Sequence, residues 1–158
     1  EGLVGDPNYP EIPDYEGEIT NEGVIAKEIK VYQPNPDGTG KGRYFTYTYK
    51  ALRPLIVYFA KRDEEDKVFS MLFSVTPISE EESLVLALIA MNYAFEIPAE
   101  KIREFEDTVM QQDMRVLEEE EPKYLPLDLK SEIHSKADKM SIYYRKWLKE
   151  MGFDCCVK

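Results

Sequence analysis

Two carboxylates on one predicted helix are the groups of this chain best placed to do chemistry. Over Ala99–Glu121, apolar residues recur at the i, i+3, i+7 spacing of a single buried stripe, namely Ile102, Phe105, Val109 and Val116. Asp113 falls about 20° from Ile102 on that helix, near the centre of the stripe. A buried carboxylate is costly unless a cation, a metal or several donors compensate it. Asp113 is therefore a candidate metal ligand or general base between helix and sheet. Alternatively, it is an acid at the wet end of its helix, paired with a nearby Lys or Arg.

The second carboxylate, Glu106, lies seven residues before Asp113 and about 40° from the same stripe. Two helical turns would separate the two acids by about 10 Å. That distance is too long for both to bind one metal from a single helix. We expect one acid to be the active group and the other to support it or to lie at the surface.

Other reactive side chains offer less. His134 is the single histidine, so the chain cannot supply the two imidazoles of a 2-His-1-carboxylate iron site, and its polar surroundings predict a capping or surface role. The only two cysteines, Cys155 and Cys156, are adjacent, so the chain cannot form a disulfide framework. The pair also does not have the spacing of a zinc or iron–sulfur ligand set. No serine has the context of a nucleophile elbow. The glycine-rich segment Pro34–Gly42 predicts a hairpin tip.

Composition limits the class of protein. The 158 residues suit one domain, and 43% hydrophobic with 32% charged residues is typical of a globular chain. A net charge of −11 argues against nucleic-acid binding, and no apolar run is long enough to cross a membrane. The acidic blocks Asp63–Asp66, Glu80–Glu82 and Glu118–Glu121 are predicted to be solvated turns and helix ends. Without disulfides, a reducing cytoplasm is the expected compartment.

Strand signals come first and helices later. Period-2 alternation and turn residues predict strands at Val24–Gln33, Arg43–Leu52, Leu55–Arg62, Lys67–Ile78 and from Ser83 to about Tyr93. Their short connections favour antiparallel pairing. Helices are predicted from Ala99, after Pro98, and at Lys136–Met151, with Gly152 at the end. This order predicts an α+β domain in which a curved antiparallel sheet packs on a long C-terminal helix. We expect a connector at residues 1–20, the domain at 21–152 and a tail at 153–158.

Aromatic residues are concentrated on the predicted strands, among the 11 Tyr and 7 Phe of the chain. A sheet face rich in Phe, Tyr and Met is either ordinary core or the wall of an apolar pocket for a flat ligand. Candidates for substrate contact on such a wall are Tyr47, Phe59, Phe73 and, on the long helix, Val109.

Three motifs resemble a known family. FEDTVMQQDMRVLE at Phe105–Glu118, PKYLPLDL at Pro122–Leu129 and SIYYRKWL at Ser141–Leu148 are similar to the C-terminal part of Rieske non-haem iron oxygenase α subunits. Within that family, the vanillate O-demethylase and phenylpropionate-dioxygenase-like branch is the most similar. The opening GLVGDPNYPEIPDYE also looks like the segment that follows the iron-binding H-x-x-x-x-H motif of these enzymes, so the resemblance spans nearly the whole chain.

The resemblance implies that Asp113, in Q-D-x-x-V, is the carboxylate ligand of a mononuclear Fe(II), in preference to Glu106. Glu106 and Gln112 would then support that ligand without binding the metal. It further implies a START-like helix-grip fold and hydroxylation or O-demethylation of an aromatic-type substrate with O₂ and NAD(P)H-derived electrons. In such enzymes a reductase or ferredoxin supplies the electrons, which reach the iron through a [2Fe–2S] Rieske cluster, usually that of the neighbouring subunit of a homotrimer.

The chain departs from this pattern, because it has neither a C-x-H…C-x-x-H motif nor an H-x-x-x-x-H pair. We therefore expect a C-terminal fragment of the catalytic domain that by itself is inactive and binds neither iron nor a cluster. The alternative is a stand-alone START-like carrier of a lipid or aromatic ligand with no redox chemistry.

Overall fold

Each strand of the sheet lies beside the one before it in the chain. The computed structural model describes residue 8, residues 13–34 and residues 42–154. In that part of the chain, six strands form one antiparallel sheet in the order β1 to β6, and two helices follow. The strands are β1 Glu16–Thr20, β2 Gly23–Gln33, β3 Arg43–Arg53, β4 Ile56–Arg62, β5 Val68–Pro77 and β6 Ser83–Met91. The helices are α1 Ala99–Glu119 and α2 Lys139–Glu150, the latter entered through a 3-10 turn at Lys136–Asp138.

The α+β class and the antiparallel pairing predicted from the sequence are confirmed, and the arrangement is consistent with a helix grip. Helix α1 begins directly after Pro98, as predicted. Gly152 ends α2 with φ +93°, and the N–H of Phe153 donates to the carbonyl of Leu148 at 3.1 Å. The predicted hairpin tip, much of the connector and the end of the tail with Cys155 and Cys156 lie outside the described residues.

Strand β1 was not predicted, because it lies within the expected connector. It pairs with β2 through a two-residue turn closed by Gly23, whose φ is +133°. A Cβ at Gly23 would lie 1.9 Å from the carbonyl oxygen of Ala51, so a larger side chain does not fit there. A Cβ at Gly17, the second residue of β1, would lie 2.9 Å from the ring of Tyr143. These glycines allow the sheet edge and α2 to approach closely.

Helix α2 is the helix that packs on the sheet, against β1 and β2. Its Trp147 is buried together with Val24 and Ala51, and Met140 packs against the same cluster. The hydroxyl of Tyr15 fixes the start of the helix, since it accepts from the N–H of Met140 at 3.0 Å and donates to the carbonyl of Ala137 at 2.7 Å. Side-chain burial and two directed hydrogen bonds therefore hold α2 in place.

Helix α1, by contrast, has no buried residue, so the predicted buried stripe is wrong. Phe105 is 46% exposed and Val116 is 63% exposed, while Ile102 and Val109 are only partly buried. The apolar spacing correctly predicted the helix and its apolar side. Burial also needs a partner, and α1 is not packed closely against any other helix or strand that the structure describes.

Candidate functional site

The sheet face that α2 covers, here called the inner face, collects the aromatic side chains. Cross-strand partners share a face, and residues two apart in one strand return to it. The pairings Tyr47↔Lys61, Tyr49↔Phe59 and Val57↔Phe73 therefore place alternate residues of β3, β4 and β5 on the inner face together. Ala51 lies two and four residues after Tyr49 and Tyr47 in β3, so its side chain is on the same face as theirs. Because Ala51 packs with Trp147 of α2, this is the face that α2 covers.

Five rings of the inner face form a continuous surface, here called the aromatic wall: Tyr47, Tyr49, Phe59, Phe69 and Phe73. Ring centroids are 5.7 Å apart for Tyr47–Tyr49, 5.9 Å for Tyr49–Phe59 and 6.3 Å for Phe59–Phe73. Phe59 lies at the centre, 6.4 Å from Tyr47 and 6.0 Å from Phe69. These separations fit stacked and tilted aromatic packing. The structure thus brings together three of the four predicted contact residues.

The fourth, Val109, lies on α1 and is partly buried. Between α2 and the inner face there is an open cavity of about 460 Å³. Its apolar lining includes Tyr49, Val57, Met140 and Tyr144, and Ser141 and Asp138 are among its polar groups. This volume is within the range of pockets that bind small molecules.

Asp113 is exposed, contrary to the expectation of a buried carboxylate, because no described element covers that part of α1. The described residues also place no cation within ion-pair distance of it, so the ion-paired alternative does not describe it either. In the part of the chain that the structure describes, no three His, Cys, Asp or Glu side chains are grouped to hold a metal. Asp113 offers one carboxylate, whereas a mononuclear iron centre of this type also needs two histidine ligands. The described residues therefore do not by themselves fit such a centre.

Glu106 of α1 is half-buried, and it lies near Lys61, a residue of β4 on the inner face. Burial raises the pKa of Glu106, and the positive charge of Lys61 opposes that rise. Burial likewise lowers the pKa of Lys61, opposed by the carboxylate of Glu106. Gln112, the other residue expected to support Asp113, is partly buried. Glu106 is therefore the acid of α1 that interacts with the sheet, and Asp113 is the one left open.

The sequence analysis did not identify Lys61 as a candidate site residue, although the pattern of β4 contains a signal for it. Val57, Phe59 and Lys61 alternate in β4, so Lys61 shares the parity of residues on the apolar face.

Asp63 corrects the prediction that the block Asp63–Asp66 is a solvated turn. It is only 7% exposed, and its carboxylate pairs with Arg43 at 3.2 Å. The same carboxylate accepts from the N–H groups of Glu65 at 2.9 Å and Lys67 at 3.0 Å. Asp63 thus closes the turn between β4 and β5, and its neighbours Glu64 to Asp66 are exposed as expected.

His134 is partly buried and does not cap a helix. Its Nε2 is buried and has no hydrogen-bond partner among the residues that the structure describes. The cap of the 3-10 turn belongs to Ser135, whose hydroxyl accepts from the N–H of Ala137 at 3.2 Å, while its own N–H donates to Asp138 at 2.6 Å. Hydrogen bonds from the backbone N–H and the hydroxyl of Ser135 lower the pKa of the Asp138 carboxyl.

Two of the resembling motifs are structural, and Arg145 joins them. Its Nε–H donates to the carbonyl of Pro126 at 2.9 Å, and its guanidinium pairs with the carboxylate of Glu132. Leu127 beside Pro126 is buried, and Asp128 closes the following turn by accepting from two backbone N–H groups. The LPLDL segment of the second motif is thereby fixed to α2. The third motif, on α1, is the one that carries Asp113.

A family model described as the vanillate O-demethylase oxygenase C-terminal domain matches residues 1–152. The chain belongs to this family. The match confirms the resemblance that the three motifs indicated.

The domain is also 26% identical, over 154 residues, to the probable methylxanthine N7-demethylase NdmC of Pseudomonas sp. (strain TJI-51). The matched region is 94% of this chain and 54% of that protein, so the chain spans about half the length of this relative. Among the helices that the structure describes in this vanillate O-demethylase-type domain, none is both long and apolar enough to cross a membrane.

Proposed function

We propose that this domain is the C-terminal part of the catalytic domain of a Rieske-type non-haem iron oxygenase. The enzyme would hydroxylate or demethylate a flat, aromatic-type substrate with O₂ and electrons from NAD(P)H, in the cytoplasm. The family match supports the oxygenase assignment. The observation that carries the substrate class is the aromatic wall, which offers ring faces and an adjoining apolar cavity to a planar ligand.

In this proposal Asp113 is the carboxylate ligand of the mononuclear iron, which supplies the O₂-activating chemistry when bound. The imidazole ligands and the [2Fe–2S] cluster are assigned to parts of the enzyme outside this chain. A reductase or ferredoxin would deliver the electrons, and a homotrimer is the proposed assembly. The residues of this chain bind the substrate ring, orient it along the aromatic wall and keep water from its apolar faces.

The iron assignment is tested in the complete oxygenase that contains this domain. We expect Asp113→Ala to remove the mononuclear iron and turnover while leaving the visible spectrum of the [2Fe–2S] cluster unchanged. Asp107→Ala is the matched control, because Asp107 is an exposed aspartate of the same helix on a different side. Iron analysis and cluster absorbance are measured on both. Normal iron content and turnover in the Asp113 variant would refute the assignment.

The reaction is tested by supplying methoxybenzoates and methylated xanthines separately. A demethylation consumes O₂ and reducing equivalents and releases formaldehyde, the demethylated product and water. We expect formaldehyde release that depends on NAD(P)H and O₂ with at least one class. Tight binding of a ligand by the iron-loaded, reducible enzyme without any O₂ consumption would instead support the carrier alternative.

A further inference from the structure

Lys61 is a cation among the aromatic rings of the inner face. In the sheet it is paired with Tyr47 of β3 and Phe69 of β5, both members of the aromatic wall. Its Nζ lies 5.0 Å from the ring centroid of Phe69 and 5.6 Å from that of Phe45. Such distances allow cation–π attraction. The ammonium group is therefore held against the rings at one end of the aromatic wall.

No oxygen acceptor satisfies this ammonium among the residues that the structure describes. Neither a hydrogen bond nor an ion pair within 4.0 Å is made by Lys61 Nζ in this part of the chain, and burial lowers the pKa of Lys61. An ammonium has three N–H donors, and ring faces satisfy them less well than oxygen atoms do. Partly buried donors of this kind gain most from a ligand that brings an acceptor.

A second donor lies beside it. The hydroxyl oxygen of Tyr47 accepts from Nε2 of Gln33 at 3.0 Å, and the hydroxyl proton has no acceptor among the described residues. Gln33 is only 4% exposed, so the amide that fixes this hydroxyl is itself fixed by packing. Burial raises the pKa of Tyr47 above its usual range, which keeps the phenol neutral and able to donate. The end of the aromatic wall thus carries two donors, one charged and one neutral.

Glu106 of α1 is a carboxylate that acts electrostatically on Lys61. Its half-buried carboxylate interacts electrostatically with Lys61 but does not form a contact ion pair with it. The two opposite charges lie more than 4.0 Å apart, so a gap is left between them. A ligand carboxylate entering that gap would be attracted by Lys61 and repelled by Glu106, whereas a neutral carbonyl oxygen would meet only the donors.

We propose that Lys61 is a specificity-determining residue, which donates a hydrogen bond to a neutral carbonyl oxygen of a planar aromatic ligand lying on Tyr49, Phe59 and Phe73. Glu106 disfavours ligands that carry a carboxylate in the same position. This inference rests on the proposed function only in taking the aromatic wall as the substrate surface. It names the class of substrate: neutral ring systems with a carbonyl group, in preference to aryl carboxylates.

Binding is measured by calorimetry on the complete oxygenase, without reductant and without O₂, so that the result does not depend on turnover. The probes are 7-methylxanthine, a neutral ring with carbonyls, and 4-hydroxy-3-methoxybenzoate, an aryl carboxylate. We expect tighter binding of the xanthine and a loss of about tenfold or more in its affinity in Lys61→Met, the usual effect of removing a hydrogen bond to a charged group. Lys61→Arg should keep most of the affinity. Glu106→Gln should strengthen benzoate binding several-fold.

The matched control is Lys50→Met. Lys50 belongs to β3 but lies on the opposite face of the sheet, with its Nζ 6.0 Å from the ring of Tyr58, and its loss should leave both affinities unchanged. Unchanged xanthine affinity in Lys61→Met, binding of neither probe, or tighter binding of the benzoate by the parent would each overturn the proposal. If Lys61→Met does not fold, the Lys61→Arg and Glu106→Gln results decide alone. The absence of turnover despite the expected affinities would refute the proposed function and leave this inference standing.

Discussion

Replacing Arg145 by methionine should destabilise the domain strongly, because this side chain joins the segment before α2 to α2 itself. Arg145 is 5% exposed, and its Nε–H donates to the carbonyl of Pro126 at 2.9 Å. The same guanidinium donates to the hydroxyl of Ser141 and pairs with the carboxylate of Glu132. Methionine keeps most of the aliphatic stem, so the substitution removes mainly these polar interactions.

The magnitude follows from what is left unpaired. Losing one partner of a buried ion pair costs about 3–5 kcal/mol, and the lower end applies here because Glu132 keeps partial access to water. The carbonyl of Pro126 also loses its donor, at about 1 kcal/mol. We therefore expect Arg145→Met to lower the free energy of unfolding by about 3–4 kcal/mol. Glu132→Gln, which keeps an acceptor but removes the charge, should cost only about 1 kcal/mol.

The assay is urea unfolding followed by the fluorescence of Trp147, the single tryptophan, which is buried against the sheet. Far-ultraviolet circular dichroism provides an independent probe of the same transition. Arg115→Met is the control, because Arg115 is an exposed arginine of α1 and its loss should change stability by less than about 0.5 kcal/mol. Arg145→Met within 1 kcal/mol of the parent would refute the reasoning, as would an equal cost for Glu132→Gln.

Two further predictions concern the start of α2 and the inner face. Tyr15→Phe removes a hydroxyl that both accepts from Met140 and donates to Ala137, so it should lower the unfolding free energy by about 1–2 kcal/mol in the same urea assay; no change would show that water replaces both bonds. Burial raises the pKa of Glu106, and a carboxyl whose pKa is raised in the folded state stabilises folding below its unfolded value and loses that contribution as pH rises through its folded value. Glu106→Gln should therefore match the parent at about pH 3 and be more stable at about pH 7 when urea midpoints are compared. Greater stability of the parent at neutral pH would mean that attraction to Lys61 outweighs burial.

Strands β2 to β6 and both helices could be predicted because their signals are local. Alternating side chains, turn residues between the strands, Pro98 and Gly152 are all read within a few positions. Strand β1 could not be found in this way, since its second residue, Gly17, leaves space that the ring of Tyr143 occupies. That contact joins residues far apart in the chain, and no local pattern contains it.

The candidate site shows the same division. Helical phase identified the apolar side of α1 and placed Asp113 on it, but phase says nothing about what covers that side, and the predicted burial failed there. The prediction for Asp63 was wrong in the opposite sense, because this residue was expected to be exposed and is buried. A run of acidic residues predicts a solvated turn on average, whereas this one member accepts two backbone N–H groups and pairs with Arg43 on the neighbouring strand. The position of Lys61 could be recognised from the sequence, because this charged residue alternates in step with the apolar residues Val57 and Phe59 of β4.

The two helices are positioned by different means, and this bears on how Asp113 is placed. Helix α2 is fixed by burial of Trp147, by Tyr15 and by Arg145. Helix α1 has no buried side chain and no side-chain cap, and the stability of a helix in a protein comes mostly from packing of its apolar side. Its interaction with the inner face of the sheet includes the attraction between Glu106 and Lys61, two turns before Asp113. The distance from Asp113 to a ligand on the aromatic wall therefore depends on two things. These are the group that packs on the apolar side of α1 and the attraction between Glu106 and Lys61. The sheet alone does not set this distance.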